Sequence, residues 1–300
     1  MIQSKALPSR FRRARIALVG FGDVGQRILA QRTAVWQASP KAPMILAVAR
    51  RTGWDLDQAP AARRLAARTQ HWIVLVPPAD GGPQQTLDVR SIRLAQALER
   101  AGSPRRRRLV YISTTGVYGD YAGRAVYETD PLKTHQPRSL RRVNAEKVWR
   151  SSRAHILRVP GIAAEDRLPL DRIRRMHPAL RPEDDVYTNH IHADDLARLA
   201  WVALWRGRPG RVTNTVMRSH LRMGDYFDLV ADAFGLPRCP RVSRAELEAA
   251  VGRGEISPMA ASFMQDSRRV QGTRLSELRV ALHYERIEDV IQSARSAHPQ

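Results

Sequence analysis

The stretch RIALVGFGDVGQRI, residues 15–28, joins an apolar run to a glycine-rich turn and then to an amphipathic segment. An apolar run that ends at glycine is typical of a buried strand, and the apolar residues after the turn recur at helical spacing. Gly20, Gly22 and Gly25 form a G-x-G-x-x-G pattern between the two elements. In this strand–turn–helix setting, the pattern predicts a turn that binds the pyrophosphate of a dinucleotide. A glycine-rich connection without a ligand is the alternative.

Each glycine of this turn has its own physical reason. Gly20 permits the tight turn, Gly22 lets the backbone approach a pyrophosphate, and Gly25 lets helix and strand pack closely. The free N–H groups of the following helix, which begins near Asp23 and Val24, attract the anion. These five residues are therefore candidate cofactor-binding residues.

Further apolar runs alternate with amphipathic stretches along the chain, at residues 44–50, 71–78, 109–113, 155–159 and 211–216. Alternation of this kind predicts an open parallel sheet with right-handed crossovers. We predict an α/β fold, a Rossmann-type doubly wound parallel sheet with a smaller, mostly helical C-terminal substrate region. In that region we expect helices to continue to Gln300.

The same pattern predicts the domain organisation. We expect a flexible basic tail over residues 1–14 and an NAD(P)-binding Rossmann domain over residues 15–160. Residues 161–300 then form the substrate region, and segments near 189–216 return to the Rossmann domain. The sequence shows no internal repeat and no low-complexity linker.

Composition limits the class of protein. The chain is 43% apolar and 26% charged, as in ordinary globular domains. The apolar run Trp72–Pro78 is far too short to span a bilayer, so we expect no membrane partner. The N-terminus has no apolar stretch of the kind found in signal peptides. Cys239 is the single cysteine, which excludes an internal disulfide and favours a cytoplasmic location.

The formal net charge of +21 comes almost entirely from arginine, since only 4 of the 50 basic residues are lysine. Nucleic-acid binders usually concentrate charge on one face with aromatic residues interleaved. Here arginines occur in nearly every segment, so we expect no specific nucleic-acid partner. The charge still attracts anionic ligands.

The residues that follow the second predicted strand indicate whether the cofactor is NAD or NADP. A carboxylate at that point would hold the ribose hydroxyls of NAD, whereas this chain has Arg50 and Arg51. Two guanidinium groups suit the additional phosphate of NADP, which favours NADP over NAD. Because arginine is abundant throughout, chance placement is the alternative.

Several further motifs follow the glycine turn in order: YISTTGVYGD (111–120), YETDPLKTHQP (127–137), RVPGI (158–162) and NHIHADDLARLA (189–200). With these motifs and the glycine turn, the chain resembles atypical and extended short-chain dehydrogenase/reductases of the NAD(P)-dependent epimerase/dehydratase type.

The resemblance implies roles for individual residues. In GWDLDQ (53–58), Asp55 and Leu56 match the residues that flank the adenine in the family, although the helix and strand that normally precede them are shortened or missing. Thr114 matches the catalytic serine or threonine, whose hydroxyl binds a substrate oxygen. Packing at a strand end is the alternative for Thr114. Tyr118, four residues later, is expected to be a wall residue of the site.

The family's Tyr-x-x-x-Lys pair is absent. A register based on Lys147 places Val143 at the tyrosine position. A register fixed on both sides, by Glu128, Pro131 and Pro137 and by Glu146 and Trp149, instead places Arg138 at the tyrosine and Arg142 at the lysine position, and we adopt it.

This replacement changes the expected chemistry. Arginine stays protonated and is a poor general acid or base, although it binds anions through paired donors. Arg138 and Arg142 are therefore candidate catalytic residues. Arg142 would hold the ribose or a phosphate, and Arg138 would hold a carboxylate or carbonyl of the ligand. The alternative is that both face solvent on the helix. Tyr127, His135 and Tyr187 are possible substitute proton donors, but none lies in a recognisable motif, which favours a structural role for each.

A metal site in NHIHADD is disfavoured, because the family resemblance explains that segment better. We expect Asp194 or Asp195 to cap the helix that begins there.

These features leave two leading functions. The first is an NADP-dependent oxidoreductase or epimerase/dehydratase with a non-standard site, acting on a small polar or sugar-like substrate that can be anionic. The second is a non-catalytic NADP(H)-sensing protein that acts through a partner. Charge alone motivates a third, nucleic-acid binding. A homodimer is plausible by analogy with the family.

Overall fold

The computed structural model describes residues 15–36, 43–79, 85–102 and 107–297. The tail expected over residues 1–14 lies outside this range. Six parallel strands form the central sheet: β1 (Arg15–Val19), β2 (Met44–Val48), β3 (His71–Val74), β4 (Leu109–Thr114), β6 (His155–Val159) and β10 (Val212–Asn214). Their spatial order is β10-β6-β4-β3-β1-β2. All six predicted strands are present, and the predicted α/β class is confirmed.

Helices cover both faces of the sheet. They are α1 (Asp23–Trp36), α2 (Ala59–Arg68), α3 (Val89–Arg100), α4 (Pro137–Ser151) and α6 (Ala193–Arg206). Alternate residues of each strand face opposite sides: Ala17 and Val19 contribute to the core beneath α2, α3 and α4, and Ile16 and Leu18 to the core beneath α1 and α6. The sheet is therefore doubly wound.

The connection between β2 and β3 is short. A 3₁₀ turn (Arg50–Thr52) and the ten-residue α2 occupy it, and within the described residues the sheet ends at β2. The expected loss of a strand here is thus confirmed. The helix α2 was not predicted, because three of the four residues on its buried face are alanines, which give a weak apolar signal.

One smaller element, β5 (Ala125–Val126), lies between β4 and α4. The second half of the chain supplies the others: β7 (Gly161–Ala163), α5 (Leu170–Arg174), β8 (Ala179–Leu180), β9 (His190–His192), α7 (Met223–Ala233), β11 (Arg241–Val242), α8 (Arg244–Gly252), α9 (Pro258–Ser262), β12 (Arg269–Val270) and α10 (Ile287–Ala297). The expectation that the final stretch is helical throughout is wrong for the described residues, which end at Ala297. Two short strands interrupt it because β11 pairs with β8 and β12 pairs with β5, contacts that local periodicity does not reveal.

Parts of the second half return to the central sheet. β10 forms one edge of the sheet beside β6, and α6 packs against α1. β7 and β9 pair with each other just beyond β6. In the part of the chain that the structure describes, every helix is too short or too polar to cross a membrane.

Candidate functional site

The glycine turn between β1 and α1 is shaped by close backbone contacts. Gly20 has a φ of +103°, and a Cβ there would lie 2.4 Å from the amide nitrogen of Val76. A Cβ at Gly25 would lie 3.2 Å from the ring of Phe21. A Cβ at Gly22 would have no atom within 4 Å among the described residues, so this backbone faces open space. The turn therefore presents bare backbone toward a ligand at the start of α1.

A first cleft of about 800 Å³ lies above this turn, along the carboxyl ends of the strands. It is large enough for an extended ligand such as a dinucleotide. Most of the predicted site residues line it: Gly20, Gly22, Asp23, Val24, Gly25, Arg50, Arg51, Leu56, Thr114 and Arg142. Asp55 does not, because its side chain forms a local turn in which Oδ1 accepts a hydrogen bond from the Asp57 amide at 3.0 Å.

Asp57 lines the cleft in its place, between two arginines. Arg50 Nη2 donates to Asp57 Oδ2 at 2.8 Å, and Arg90 donates to the same carboxylate from Nε and Nη2, each at 2.9 Å. Hydrogen bonds from Arg90, followed by those from Arg50, hold the pKa of the Asp57 carboxyl below its usual value although burial opposes the shift. The carboxylate is therefore already engaged, and this end of the cleft is net positive.

Arg51 lies on the other side of the same end of the cleft. Its Nη2 donates to the main-chain oxygen of Phe21 at 2.6 Å, and its guanidinium lies 5.5 Å from the centre of the Phe21 ring. The contact holds Arg51 against the glycine turn while Arg50 remains 77% exposed. Both guanidinium groups can reach an anion bound at this end.

Arg167 adds a cation at the start of α1 that the sequence did not reveal. Its Nη2 donates to Asp23 Oδ2 at 2.8 Å, and Arg27 Nε donates to the same oxygen at 3.0 Å. Arg167 lines the first cleft although it belongs to the second half of the chain. Asp23 thus carries two arginine partners, which offset its charge where a pyrophosphate would bind.

A second cleft of about 470 Å³ adjoins the first. The two share Pro77, Thr114, Arg142 and Pro160, and Arg138 lines only the second. Thr114 ends β4, and its Oγ1 accepts a hydrogen bond from the Gly116 amide at 3.2 Å, which leaves the hydroxyl proton for a ligand. A dinucleotide in the first cleft and a substrate in the second would meet at this junction.

The two registers considered for α4 place different residues toward the clefts. Arg138 and Arg142 face the clefts. Val143, the alternative tyrosine position, packs against an apolar cluster near Tyr121, and Lys147 is exposed outside both clefts.

Arg142 and Arg138 are already oriented by contacts with the protein. Arg142 Nη1 donates to the Ile112 main-chain oxygen at 2.9 Å and to the Tyr111 hydroxyl at 3.1 Å. Arg138 Nε donates to Gln136 Oε1 at 3.2 Å, and its guanidinium stacks 4.6 Å from the centre of the Phe263 ring. These contacts hold both guanidinium groups toward the clefts.

The tyrosines and histidine considered as proton donors differ in position. Tyr118 is fully buried and lines neither cleft, so it is not a wall residue; its hydroxyl donates to Asn214 Oδ1 at 2.8 Å. Tyr127 and His135 are exposed outside both clefts. Tyr187 lines the second cleft, and is the one described tyrosine to do so.

A buried ion pair supports the site from below. Arg158 Nη2 lies 2.8 Å from Glu146 Oε2, and both side chains are at most 4% exposed. Ser113 donates to Glu146 Oε1 at 2.6 Å, and Arg158 Nη1 donates to the Tyr118 hydroxyl at 2.9 Å. Although burial opposes it, the Glu146 carboxylate raises the pKa of Arg158. The network joins α4 to the two strands whose ends form the junction.

The NHIHADD segment has a structural role. The cap of α6 is His192, whose Nδ1 accepts from the Asp194 amide at 3.1 Å, so capping by Asp194 or Asp195 is wrong. Asp194 instead pairs with Arg27, and Asp195 accepts from the amides of His283 and Tyr284. Throughout residues 15–297, as far as the structure describes them, no group of three acidic, histidine or cysteine side chains is arranged to hold a metal ion.

Comparison with known proteins identifies the fold. No protein-family model matches the chain, and no curated protein matches it. A functionally unknown conserved protein from Silicibacter pomeroyi DSS superposes with a TM-score of 0.72 at 24% identity, over 96% of this chain and 100% of its own.

Two solved structures with a bound cofactor are also similar. The human epimerase family protein SDR39U1 (isoform 2), solved with NADPH, has a TM-score of 0.69 at 15% identity, over 95% of this chain and 100% of its own. dTDP-glucose 4,6-dehydratase from Bacillus anthracis, solved with NAD, has a TM-score of 0.70 at 13% identity, over 95% of this chain and 97% of its own. The chain therefore has the Rossmann-type fold of the NAD(P)-dependent epimerases and dehydratases, as the resemblance of its motifs implied.

Proposed function

We propose that the chain binds NADP along the first cleft and transfers a hydride between this cofactor and a small carbonyl or hydroxyl compound in the second cleft. The observation that carries the proposal is the junction of the two clefts at Thr114 and Arg142, at the carboxyl end of the sheet. Ligands of open α/β sheets bind in crevices at this end. The bare backbone at Gly22 suits the close approach of a pyrophosphate.

The preference for NADP is supported by charge. Arg50 and Arg90 bind a single carboxylate, Asp57, at the end of the cleft where the adenosine ribose would lie, and Arg51 lines the same cleft. Because Asp57 already accepts hydrogen bonds from two of these arginines, it is poorly placed to accept from the two ribose hydroxyls of NAD. A 2′-phosphate would gain the paired donors instead.

The chain's own residues would bind and polarise the substrate. When bound, NADPH would supply the hydride to a carbonyl carbon. The Thr114 hydroxyl and the Arg142 guanidinium would stabilise the negative charge that develops on the carbonyl oxygen. Since arginine keeps its proton, the proton that completes the alcohol would come from the Tyr187 phenol, which regains it from solvent. Epimerisation or dehydration would begin with the reverse hydride transfer.

The replacement of the family's tyrosine by Arg138 favours a second candidate, a non-catalytic protein that senses NADP(H). In this case the second cleft would hold a ligand or partner segment without hydride transfer. NADP-dependent binding of a partner, without turnover, is its expected signature.

Calorimetric titration with NADP, NADPH and NAD tests the first step. We expect NADP and NADPH to bind at least tenfold more tightly than NAD. Failure of all three to bind would overturn both candidates. Oxidation of NADPH with a panel of carbonyl compounds then separates them, because turnover supports the oxidoreductase and tight binding without turnover supports the sensor.

A further inference from the structure

The second cleft continues past Phe263 into a third, largely apolar cleft of about 370 Å³. Thr188, Met223 and Phe263 line both spaces. The remaining apolar walls of the third cleft are Tyr226, Phe227, Met259, Ala260 and Met264. Met259 and Phe263 are 67% and 57% exposed, an unusual exposure for large apolar side chains at a cleft edge. A ligand that enters the third cleft would cover apolar surface.

The polar groups of the third cleft are mostly engaged by the protein. Arg172 stacks 4.9 Å from the centre of the Phe227 ring, and its Nη2 donates to the Pro178 main-chain oxygen at 2.6 Å. Its Nε has no hydrogen-bond partner among the described residues. His190 lies 3.3 Å from the Thr188 hydroxyl, and its ring packs against Tyr226. The space that remains therefore favours an apolar group.

The second cleft has the opposite character. Four arginines line it, Arg138, Arg141, Arg142 and Arg268, against one carboxylate, Asp266. Arg268 is nearly buried: its Nη1 donates to the Gly119 main-chain oxygen at 2.8 Å, and Asp266 lies 3.5 Å away. Its Nε has no partner among the described residues. Guanidinium groups keep their charge, so the cleft carries positive charge that one carboxylate cannot neutralise.

We infer that the ligand of the second and third clefts is an amphipathic acid. Its acidic group binds Arg138 and Arg268 in the second cleft, and its apolar group, about the size of an aromatic ring, enters the third cleft past Phe263. Arg138 contributes Nη1 and Nη2, because its one hydrogen bond to a described residue uses Nε. This inference narrows the proposed substrate and rests on the proposed function only in placing the reacting carbonyl beside Thr114.

Binding of simple probes tests this inference without turnover. The probes are 3-phenylpropanoate, propanoate, 3-phenylpropanamide and 2-phenylethyl phosphate, titrated into the full chain with and without NADP. We expect the phenyl carboxylate to bind at least tenfold more tightly than propanoate and than the amide. The phosphate shows whether the acid site prefers a carboxylate or a phosphoryl group. If 3-phenylpropanoate binds no more tightly than 3-phenylpropanamide, or no more tightly than propanoate, the inference is wrong.

Matched variants locate the two halves of the ligand. Ala260→Trp fills the third cleft and should abolish the preference for the phenyl probe, whereas Ala249→Trp, at an exposed position of α8, should not. Arg138→Gln should weaken the acid at least tenfold, whereas Arg150→Gln on the exposed side of α4 should not.

A third substitution, Arg172→Gln, tests the opposite orientation. If it weakens the acid while Arg138→Gln does not, the acidic group lies in the third cleft and the inference is wrong. Cofactor titration is independent of these outcomes. Loss of NADP binding with retained probe selectivity would overturn the proposed function alone, and intact NADP binding without probe selectivity would overturn this inference alone.

Discussion

The guanidinium of Arg142 is bound to the carboxyl end of β4, where its Nη1 donates to the Ile112 main-chain oxygen at 2.9 Å. The same atom donates to the Tyr111 hydroxyl, and burial raises the pKa of Tyr111 to about 12, so that this acceptor remains neutral. This contact fixes a permanent positive charge at the junction of the clefts, because Ile112 lies two residues before Thr114 on β4. Because it is fixed before a ligand binds, it loses little entropy when an anion or a developing oxyanion arrives.

Arg142 lines the first cleft as well as the second, so Arg142→Ala should weaken NADP binding. A charge-assisted hydrogen bond contributes about 1.5 to 3 kcal/mol, so we expect a loss of roughly ten- to a hundredfold in affinity. Arg142→Lys, which keeps the charge but not the fork, should lose less. Calorimetry measures both, with Arg150→Ala on the exposed side of α4 as control. An unchanged Kd for Arg142→Ala would remove this residue from the cofactor site.

The pair Arg50 and Arg51 should set the choice between cofactors. Replacing both by alanine removes the donors for a 2′-phosphate and leaves Asp57 with Arg90 alone. We expect the ratio of NAD to NADP affinity to shift toward NAD by at least about tenfold, and the NADP affinity to become less salt-dependent. Titration at two ionic strengths tests this, with Arg68→Ala at the end of α2 as control. Equal losses for NAD and NADP would contradict the assignment.

Substitutions at two glycines of the turn should have different effects, one on the stability of the fold and the other on NADP binding. Gly20→Ala places a Cβ 2.4 Å from the Val76 amide at a φ of +103°, so it should destabilise the fold by at least about 1 to 3 kcal/mol. Gly22→Ala meets no described atom within 4 Å and should leave the melting temperature nearly unchanged. Its methyl group would occupy the path of a pyrophosphate and should weaken NADP binding at least tenfold. A Gly22→Ala variant that melts like Gly20→Ala would refute this separation.

The features that could be predicted from the sequence are those encoded by residues close together in the chain. The glycine turn, the six strands and the register of α4 each depend on residues close together in the chain. Glu146 and Trp149 fixed that register by matching the family's pattern, whereas the register based on Lys147 is displaced by five residues. Both anchors are buried in the structure, one and two turns after Arg142.

The residues that were missed are joined by the fold across long distances in the sequence. Arg167 reaches Asp23 across 144 positions, and Arg90 reaches Asp57 across 33. With arginine in nearly every segment, composition gives no reason to select these two. Asp55 and Asp57 are similar in sequence, and only the backbone turn decides which one faces the cleft.

Tyr187→Phe tests the source of the proton. If the phenol supplies it, the variant should lower kcat by about a hundredfold and leave KM for NADPH unchanged. The matched control is Tyr127→Phe, which changes an exposed tyrosine outside the clefts. A full rate for Tyr187→Phe would assign the proton to solvent.

His190 should make the fold sensitive to acid. Burial lowers the pKa of its imidazole from 6.5 to about 4, so the native state resists the proton that the unfolded chain accepts. Its contribution to stability is therefore complete above pH 6.5 and is lost as pH falls toward 4. Between pH 7 and pH 4.5 this amounts to about 2 to 3 kcal/mol. Urea unfolding of the wild type and His190→Gln at both pH values measures it. The variant should lose less stability on acidification, by that amount, even if it is less stable at pH 7. An identical pH dependence in the two proteins would show that His190 is protonated as readily in the folded as in the unfolded chain.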